Sequence, residues 1–120
     1  MLEMIKELCA LSGISGREGK IREYIISKLP ESAEYSVDAM SNLIVFVKGK
    51  NTAKNKVMLA AHMDEVGMIA TFIDDKGFIK FANVGGIDTA VQLGRRVKVG
   101  EKGLTGVIGV TPIHLRRSDD

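Results

Sequence analysis

The sequence predicts an α/β protein in which helices and buried strands come first and short β-strands follow. Apolar residues recur at helical spacing up to Pro30, two continuous apolar runs precede residue 62, and short strands punctuated by glycine begin near residue 67. We therefore expect a domain boundary near residue 66, between segments 1–66 and 67–120. Two helices and two strands are too few to cover a buried sheet on both faces, so neither segment is expected to be a complete domain.

Composition and charge exclude several classes of protein. The 120 residues suffice for one domain or for parts of two, and 45% of them are hydrophobic, which favours a folded core. The formal net charge is +2 and there is no tryptophan, so nucleic acid is not an expected partner. No apolar run reaches the ~18 residues of a membrane span, and the N-terminus does not have the pattern of a signal peptide. We expect a soluble, cytoplasmic protein with no membrane partner.

Two helices are predicted in the first thirty residues. Apolar residues spaced three or four apart predict a short amphipathic helix over 1–10, with the single cysteine, Cys9, on its buried face. A glycine- and serine-rich break follows. Ser15 and Glu18 then have the spacing of a capping box, which would start the second helix at Ser15. Pro30 is expected to end that helix.

Two strands are predicted next, each from a continuous apolar run. Residues 43–47 follow a turn-like segment over 38–41, and residues 57–61 follow a polar turn. Continuous apolar runs are typical of strands covered on both faces, as in the central sheet of an α/β domain.

The remainder of the chain predicts short β-strands. Residues 69–73 and 78–81 flank a hairpin turn over 74–77, in which Gly77 would take the left-handed position. Further strands are predicted over 97–99 and 107–110, around two glycines. This pattern is typical of a small barrel or sandwich.

His62 and Asp64 are the candidate functional residues. His62 directly follows the apolar run 57–61, and the carboxyl end of a buried strand is where open α/β sheets place their sites. A hydrogen-bonded core histidine is the structural alternative. In extended chain, residues i and i+2 point to the same side with Cα atoms about 6.8 Å apart, so Asp64 could orient the imidazole or act on a metal-bound water.

The other polar residues are expected to be structural. Glu65 would point away from Asp64, so the two carboxylates are a poor pair for glycoside hydrolysis, which needs both to face one bond. Asp88 is expected to shape a loop, and His114 to be structural. Four further charged residues are expected to lie in a turn or on a solvated strand edge: Asp74, Asp75, Arg95 and Arg96.

The run Ala60-Ala61-His62-Met63-Asp64-Glu65-Val66-Gly67-Met68 resembles the signature of the cytoplasmic di-metal aminopeptidases. This family includes glutamyl, deblocking and tetrahedral aminopeptidases, and its members are often labelled endoglucanase M. Segment 11–18 resembles the family's opening helix-loop-helix. Asp38 and Asn42 resemble the start of its next strand, although Ser41 stands where glycine is usual. Later segments match in the right order: Gly77-Phe78, Gly85-Gly86-Ile87-Asp88 (with Ile87 in place of an aromatic residue), Gly94-Arg95-Arg96-Val97, Gly106-Val107-Ile108-Gly109 and Pro112-Ile113-His114.

The resemblance implies the N-terminal part of an α/β/α zinc-peptidase domain followed by an incomplete β-barrel dimerisation insert. It implies hydrolysis of N-terminal residues from peptides by two Zn²⁺ ions, or Co²⁺, with His62 as a metal ligand and Asp64 as the catalytic carboxylate that orients it. The family's other ligands lie beyond the β insert, so this chain alone is expected to bind metal weakly and to be inactive. A homo-oligomer formed through the β-rich insert is the implied assembly.

Three other functions stay open at this point. A mononuclear iron oxygenase could use His62, Asp64 and His114 as a facial triad, although that chemistry usually occupies an all-β barrel. A non-catalytic module could use the β-rich segment 67–120 for assembly alone. A glycosidase is suggested only by the family label.

Overall fold

The computed structural model describes residues 1–51 and 55–111, which form two helices and three antiparallel β-hairpins. The helices are α1 (Leu2–Ala10) and α2 (Gly19–Ser27). The hairpins pair β1 (Glu34–Val37) with β2 (Leu43–Phe46), β3 (Gly67–Ile73) with β4 (Ile79–Val84), and β5 (Arg96–Val99) with β6 (Leu104–Val107). This content confirms the α/β class. The chain divides into two compact units, Met1–Gly85 and Gly86–Asp120; the division expected near residue 66 stays a prediction.

Helix α1 forms where predicted, but its contacts with α2 are more polar than its sequence pattern suggests. The phenol of Tyr24 donates a hydrogen bond to the carboxylate of Glu7, and the Lys28 ammonium lies 3.4 Å from that carboxylate and 5.1 Å from the centre of the Tyr24 ring. Cys9 is exposed, so the expectation of a buried thiol is wrong. An amphipathic face is buried only where another element covers it, and α1 has no buried residue.

Helix α2 begins later than the capping-box motif predicts. Its N-cap is Glu18, whose side chain makes no capping bond to the helix. Gly16 adopts a positive φ of 82°, and the Arg17 N–H donates to the Ile14 carbonyl, so the chain is still turning where the motif would start the helix. The Glu18 carboxylate instead accepts a hydrogen bond from the Gly16 N–H at 2.6 Å.

The first hairpin contains one predicted strand and one that was missed. Strand β2 confirms the run at 43–47, and the turn before it is present. Its residues alternate between half-buried and exposed, because β2 pairs with a single neighbour and is not covered on both faces. Strand β1 contains polar residues and has no clear apolar pattern, so it is recognised as a strand only from its pairing with β2.

The apolar run 57–61 is not a strand in this structure. Val57, Met58 and Leu59 are 86%, 89% and 94% exposed. A strand requires a hydrogen-bonded neighbour, and no strand among the described residues pairs with this run. The prediction of a covered strand is therefore wrong for this chain.

The hairpin β3–β4 confirms its prediction and extends it by a few residues. Gly77 takes a positive φ of 82° in the turn, as expected. The register shifts between Ala70 and Phe72, so β3 carries a β-bulge. The residues that precede β3, from His62 onward, form no helix or strand.

The second unit contains a 3₁₀ helix, Thr89–Val91, and the hairpin β5–β6. Asp88 accepts a hydrogen bond from the Ala90 N–H at 2.9 Å, which confirms its loop-shaping role. The strand predicted over 107–110 is wrong, because β6 is Leu104–Val107. Gly100 and Gly103 both have positive φ and close a tight turn between β5 and β6. This turn makes β6 begin at Leu104, three residues before the predicted start of the strand. Arg95 and Arg96 are exposed, as expected.

Among residues 1–51 and 55–111, no helix has the length and apolar character to cross a membrane.

Candidate functional site

The segment His62–Glu65 leads from the exposed apolar run into β3 and lies against the loop between α1 and α2. The Glu65 N–H donates to the Gly13 carbonyl at 2.8 Å, and Ile14 and Glu65 form an isolated parallel bridge. This contact joins residues 52 positions apart in the chain. The helix-loop-helix therefore supports the segment that carries both candidate residues.

The imidazole of His62 is paired with Asp64. Its Nδ1 lies 3.1 Å from the carboxylate Oδ1 of Asp64 and 2.9 Å from the Asp64 carbonyl oxygen. Both neighbours are hydrogen-bond acceptors, so in the neutral ring Nδ1 carries the proton and Nε2 carries the lone pair. Histidine ligands of metals commonly have this arrangement, with a carboxylate or carbonyl holding the far nitrogen.

The His62 ring is open to solvent. Its side chain is 86% exposed and that of Asp64 is 40% exposed. The alternative of a histidine packed in the core is therefore wrong. An exposed ring with a free Nε2 lone pair suits a metal ligand, and the metal role itself stays a prediction.

The described residues do not supply a complete metal site. No group of three or more histidine, cysteine, aspartate or glutamate side chains lies close enough to hold an ion within residues 1–51 and 55–111. A stable zinc site needs three or four protein ligands, so His62 would be one contributor to a larger set. His114, the other histidine, lies outside the described residues.

Glu65 does not share a partner with Asp64, and Asp74 is a turn residue, as the sequence predicts. The Glu65 carboxylate accepts a hydrogen bond from the Gly13 N–H at 3.1 Å, whereas the Asp64 carboxylate faces His62. Asp74 accepts bonds from two backbone N–H groups of its turn. Asp64 and Glu65 thus do not face a common bond, as a glycosidase pair would.

Sequence reasoning missed the contact between Gly13 and the His62–Glu65 segment. A Cβ at Gly13 would lie 2.2 Å from Cδ1 of Ile21, and a Cβ at Gly67 would lie 2.5 Å from Cδ1 of Ile14. Gly67 therefore allows close approach of the start of β3 to the loop, and Gly13 allows close approach of the loop to α2. The sequence offered only single glycines, one in a loop and one at the start of a strand, as a sign of this contact. Many glycines do not lie at a close approach of two segments, so this sign is weak.

Comparison with known proteins gives a consistent result. The family model of the M42 glutamyl aminopeptidases matches residues 41–120. The lysyl aminopeptidase of Pyrococcus furiosus is 35% identical over 119 residues, which are 96% of this chain and 34% of that protein. The TET1 peptidase of Pyrococcus horikoshii, described as assembling into a tetrahedron or a large octahedral shell, is 44% identical with a TM-score of 0.78 over 99% of this chain and 36% of that one.

A second solved structure, the dodecamer PhTET1-12s, is 46% identical with a TM-score of 0.79, covering 98% of this chain and 36% of that one. The chain thus spans about a third of the length of the proteins that it matches.

Proposed function

The chain belongs to the family of M42 glutamyl aminopeptidases, and from that premise we propose that it is the N-terminal part of a metal-dependent enzyme that removes N-terminal residues from peptides. One observation carries the proposal. The Nδ1 atom of His62 lies between two oxygens of Asp64, and the exposed ring keeps Nε2 available to a metal ion.

His62 would bind one of two Zn²⁺ ions, with Co²⁺ as the alternative metal. Such an ion lowers the pKa of a bound water toward about 7 and polarises the carbonyl of the bond to be cleaved. Asp64 would hold the Nδ1 proton of His62 and so keep Nε2 aimed at the ion; it is the catalytic carboxylate of this proposal. We propose that the other ligands belong to the two thirds of the relatives that this chain does not span.

The division of the chain follows from the same proposal. Residues 1–66 would be the first part of an α/β/α catalytic domain, and residues 67–120 the first part of a β-barrel dimerisation domain. The exposed side chains of Val57, Met58 and Leu59 support this. Burying one such side chain stabilises a protein by about 1.5–3 kcal/mol, so this run is suited to being covered by another part of a larger domain.

Peptides are the proposed substrates, and a homo-oligomer is the proposed assembly. Each β-sheet among the described residues has only two strands, and isolated two-stranded sheets are marginal in water, which favours further pairing of their edges. The assemblies described for the two solved TET1 structures are consistent with this. We further propose a cytoplasmic location without nucleic-acid or membrane partners.

The other functions have less support. The carboxylates of Asp64 and Glu65 face different partners, which disfavours a glycosidase. The helices α1 and α2 differ from the all-β setting usual for the iron oxygenase. The non-catalytic module would also use residues 67–120 for assembly, but in it His62 would bind no metal.

Zinc titration of this chain tests the metal role. The two histidines in the sequence provide a matched pair of variants, His62→Ala and His114→Ala. We expect weak zinc binding that falls at least about tenfold in His62→Ala and is unchanged in His114→Ala. Equal affinity in the wild type and in His62→Ala would remove His62 from the metal site. A loss in both variants would favour the iron-type triad.

A chimera tests the activity. The matched third of the Pyrococcus horikoshii TET1 peptidase would be replaced by this chain, and release of N-terminal residues from peptides would be measured with added zinc or cobalt. We expect an active chimera that His62→Ala inactivates and His114→Ala does not. An active chimera that tolerates His62→Ala would overturn the proposed role.

A further inference from the structure

We infer that Glu65 is a positioning residue, which holds the His62–Asp64 pair in place by fastening its backbone to the loop between α1 and α2. This inference rests on the proposed function, since it assigns a role toward the same metal-binding pair. It depends on the contacts that Glu65 makes with Gly13 on the side away from His62.

Glu65 bonds Gly13 twice. Its backbone N–H donates to the Gly13 carbonyl at 2.8 Å, and its side-chain Oε1 accepts from the Gly13 N–H at 3.1 Å. Both polar groups of one loop residue are thereby satisfied by one residue of the site segment. Two bonds between the same two residues restrict sliding and rotation more than a single bond can.

The Gly13 side of the contact is tightly packed. Gly13 is buried, and a Cβ there would lie 2.2 Å from Cδ1 of Ile21, which is the buried residue of α2. The same Cβ would lie 3.5 Å from the carbonyl oxygen of Met63, the residue between His62 and Asp64. A side chain at residue 13 would therefore face the backbone of Met63 as well as α2.

The two adjacent carboxylates have separate tasks as a result. Asp64 is occupied by the imidazole of His62, and Glu65 by the Gly13 N–H. Asp64 and Glu65 are adjacent in the chain, so restraining the Glu65 backbone restrains the direction in which the Asp64 side chain leaves the chain. The apolar run before His62 is exposed and lacks strand pairing, so the Gly13 contact is the anchor nearest to the pair along the described chain.

Two variants separate the reach of the Glu65 side chain from its charge. Glu65→Gln keeps the length and an acceptor oxygen but has no charge. Glu65→Asp keeps the charge but is too short to reach the Gly13 N–H. A third variant, Glu23→Ala, removes an exposed glutamate on α2 and serves as the control.

Nitrogen-15 relaxation and amide exchange of the labelled chain give the first readout. In Glu65→Asp, we expect the Gly13 amide to exchange about tenfold faster, as loss of one hydrogen bond allows. The backbone order parameters of His62 and Asp64 should fall from near ~0.85 to below ~0.6. Glu65→Gln and Glu23→Ala should match the wild type. Unchanged order parameters in Glu65→Asp, or a Gln variant as mobile as the Asp variant, would overturn the inference.

Zinc titration of the same variants gives the second readout. Zinc affinity should fall several-fold in Glu65→Asp and be restored in Glu65→Gln. If the wild type binds no zinc through His62, the proposed function fails, while the order parameters still decide the role of Glu65. If zinc binds equally well in Glu65→Asp despite a mobile segment, Glu65 has no positioning role toward the metal and the inference is overturned.

Discussion

Two hairpin loops of this protein share the same hydrogen bonds to backbone N–H groups but have different residues at the left-handed position; the first loop also has a bond from Nδ2 of Asn42 to Oδ2 of Asp38 at 2.8 Å. In each loop, the first aspartate accepts bonds from the N–H groups two and four residues later: Asp38 from residues 40 and 42, and Asp74 from residues 76 and 78. The left-handed residue is Ser41 with φ 68° in the first loop and Gly77 with φ 82° in the second. Exchanging serine and glycine should therefore change stability in opposite directions.

The magnitude follows from the backbone alone. A left-handed conformation costs a residue with a Cβ about 1–2 kcal/mol, and glycine loses about 0.5–1 kcal/mol more chain entropy on folding. The net effect is about 1 kcal/mol, stabilising for Ser41→Gly and destabilising for Gly77→Ser. A Cβ at Gly77 would meet no atom within 4 Å, so steric overlap contributes nothing there.

Amide hydrogen exchange measures each loop separately. The N–H groups of Asp38 and Asp74 close the two loops by bonding the carbonyls of Asn42 and Phe78. We expect the Asp38 amide to exchange roughly fivefold more slowly in Ser41→Gly, and the Asp74 amide to exchange roughly fivefold faster in Gly77→Ser.

A third variant, Gly86→Ser, is the control for these two, because Gly86 lacks a positive φ and a Cβ there meets no atom within 4 Å. It should not lower the protection of either amide. A Ser41→Gly variant that exchanges faster than the wild type at Asp38, or a Gly77→Ser variant with unchanged exchange at Asp74, would refute the reasoning.

Two further predictions concern the packing of the helices. The hydrogen bond between Tyr24 and Glu7 raises the pKa of Tyr24 to about 12 and lowers the pKa of Glu7, so this contact between α1 and α2 stabilises the fold fully from above the titration of the Glu7 carboxyl up to pH 10 and is lost as the pH rises through about 12. In Glu7→Gln the pKa of Tyr24 should fall toward 10, as measured by phenolate absorbance in a Tyr35→Phe background; a value still near 12 would contradict the assigned cause. Gly13→Ala should destabilise the chain by about 1–3 kcal/mol in urea unfolding, because its Cβ would lie 2.2 Å from Cδ1 of Ile21. Ile21→Val removes that atom, so the double variant should lose less stability than the sum of the single variants, and simple additivity would count against the overlap.

Local patterns predicted most of the regular structure. Helical spacing found α1 and α2, and the Asp74–Gly77 turn found the hairpin β3–β4. These features depend on residues a few positions apart, which a sequence displays directly. The start of α2 was misplaced because Glu18 bonds Gly16 and not the helix, a choice between two local hydrogen bonds that spacing does not decide.

Burial was less predictable than helix or strand content. Cys9 and the run at Val57–Leu59 have apolar sequence contexts, yet both are exposed. Burial requires a second surface, and an apolar pattern states only that a residue would be more stable when covered. The pattern therefore identifies surfaces suited to partners without identifying the partners.

The candidate site divides in the same way. The sequence by itself predicted that His62 and Asp64 lie side by side, because residues two apart face the same side when the chain is extended. Only the tertiary structure decided that Nδ1 faces Asp64, that the ring is exposed, and that Glu65 is bonded to Gly13. The last of these is a contact between residues 52 positions apart, and the free energy of such a contact comes from packing that no local spacing encodes.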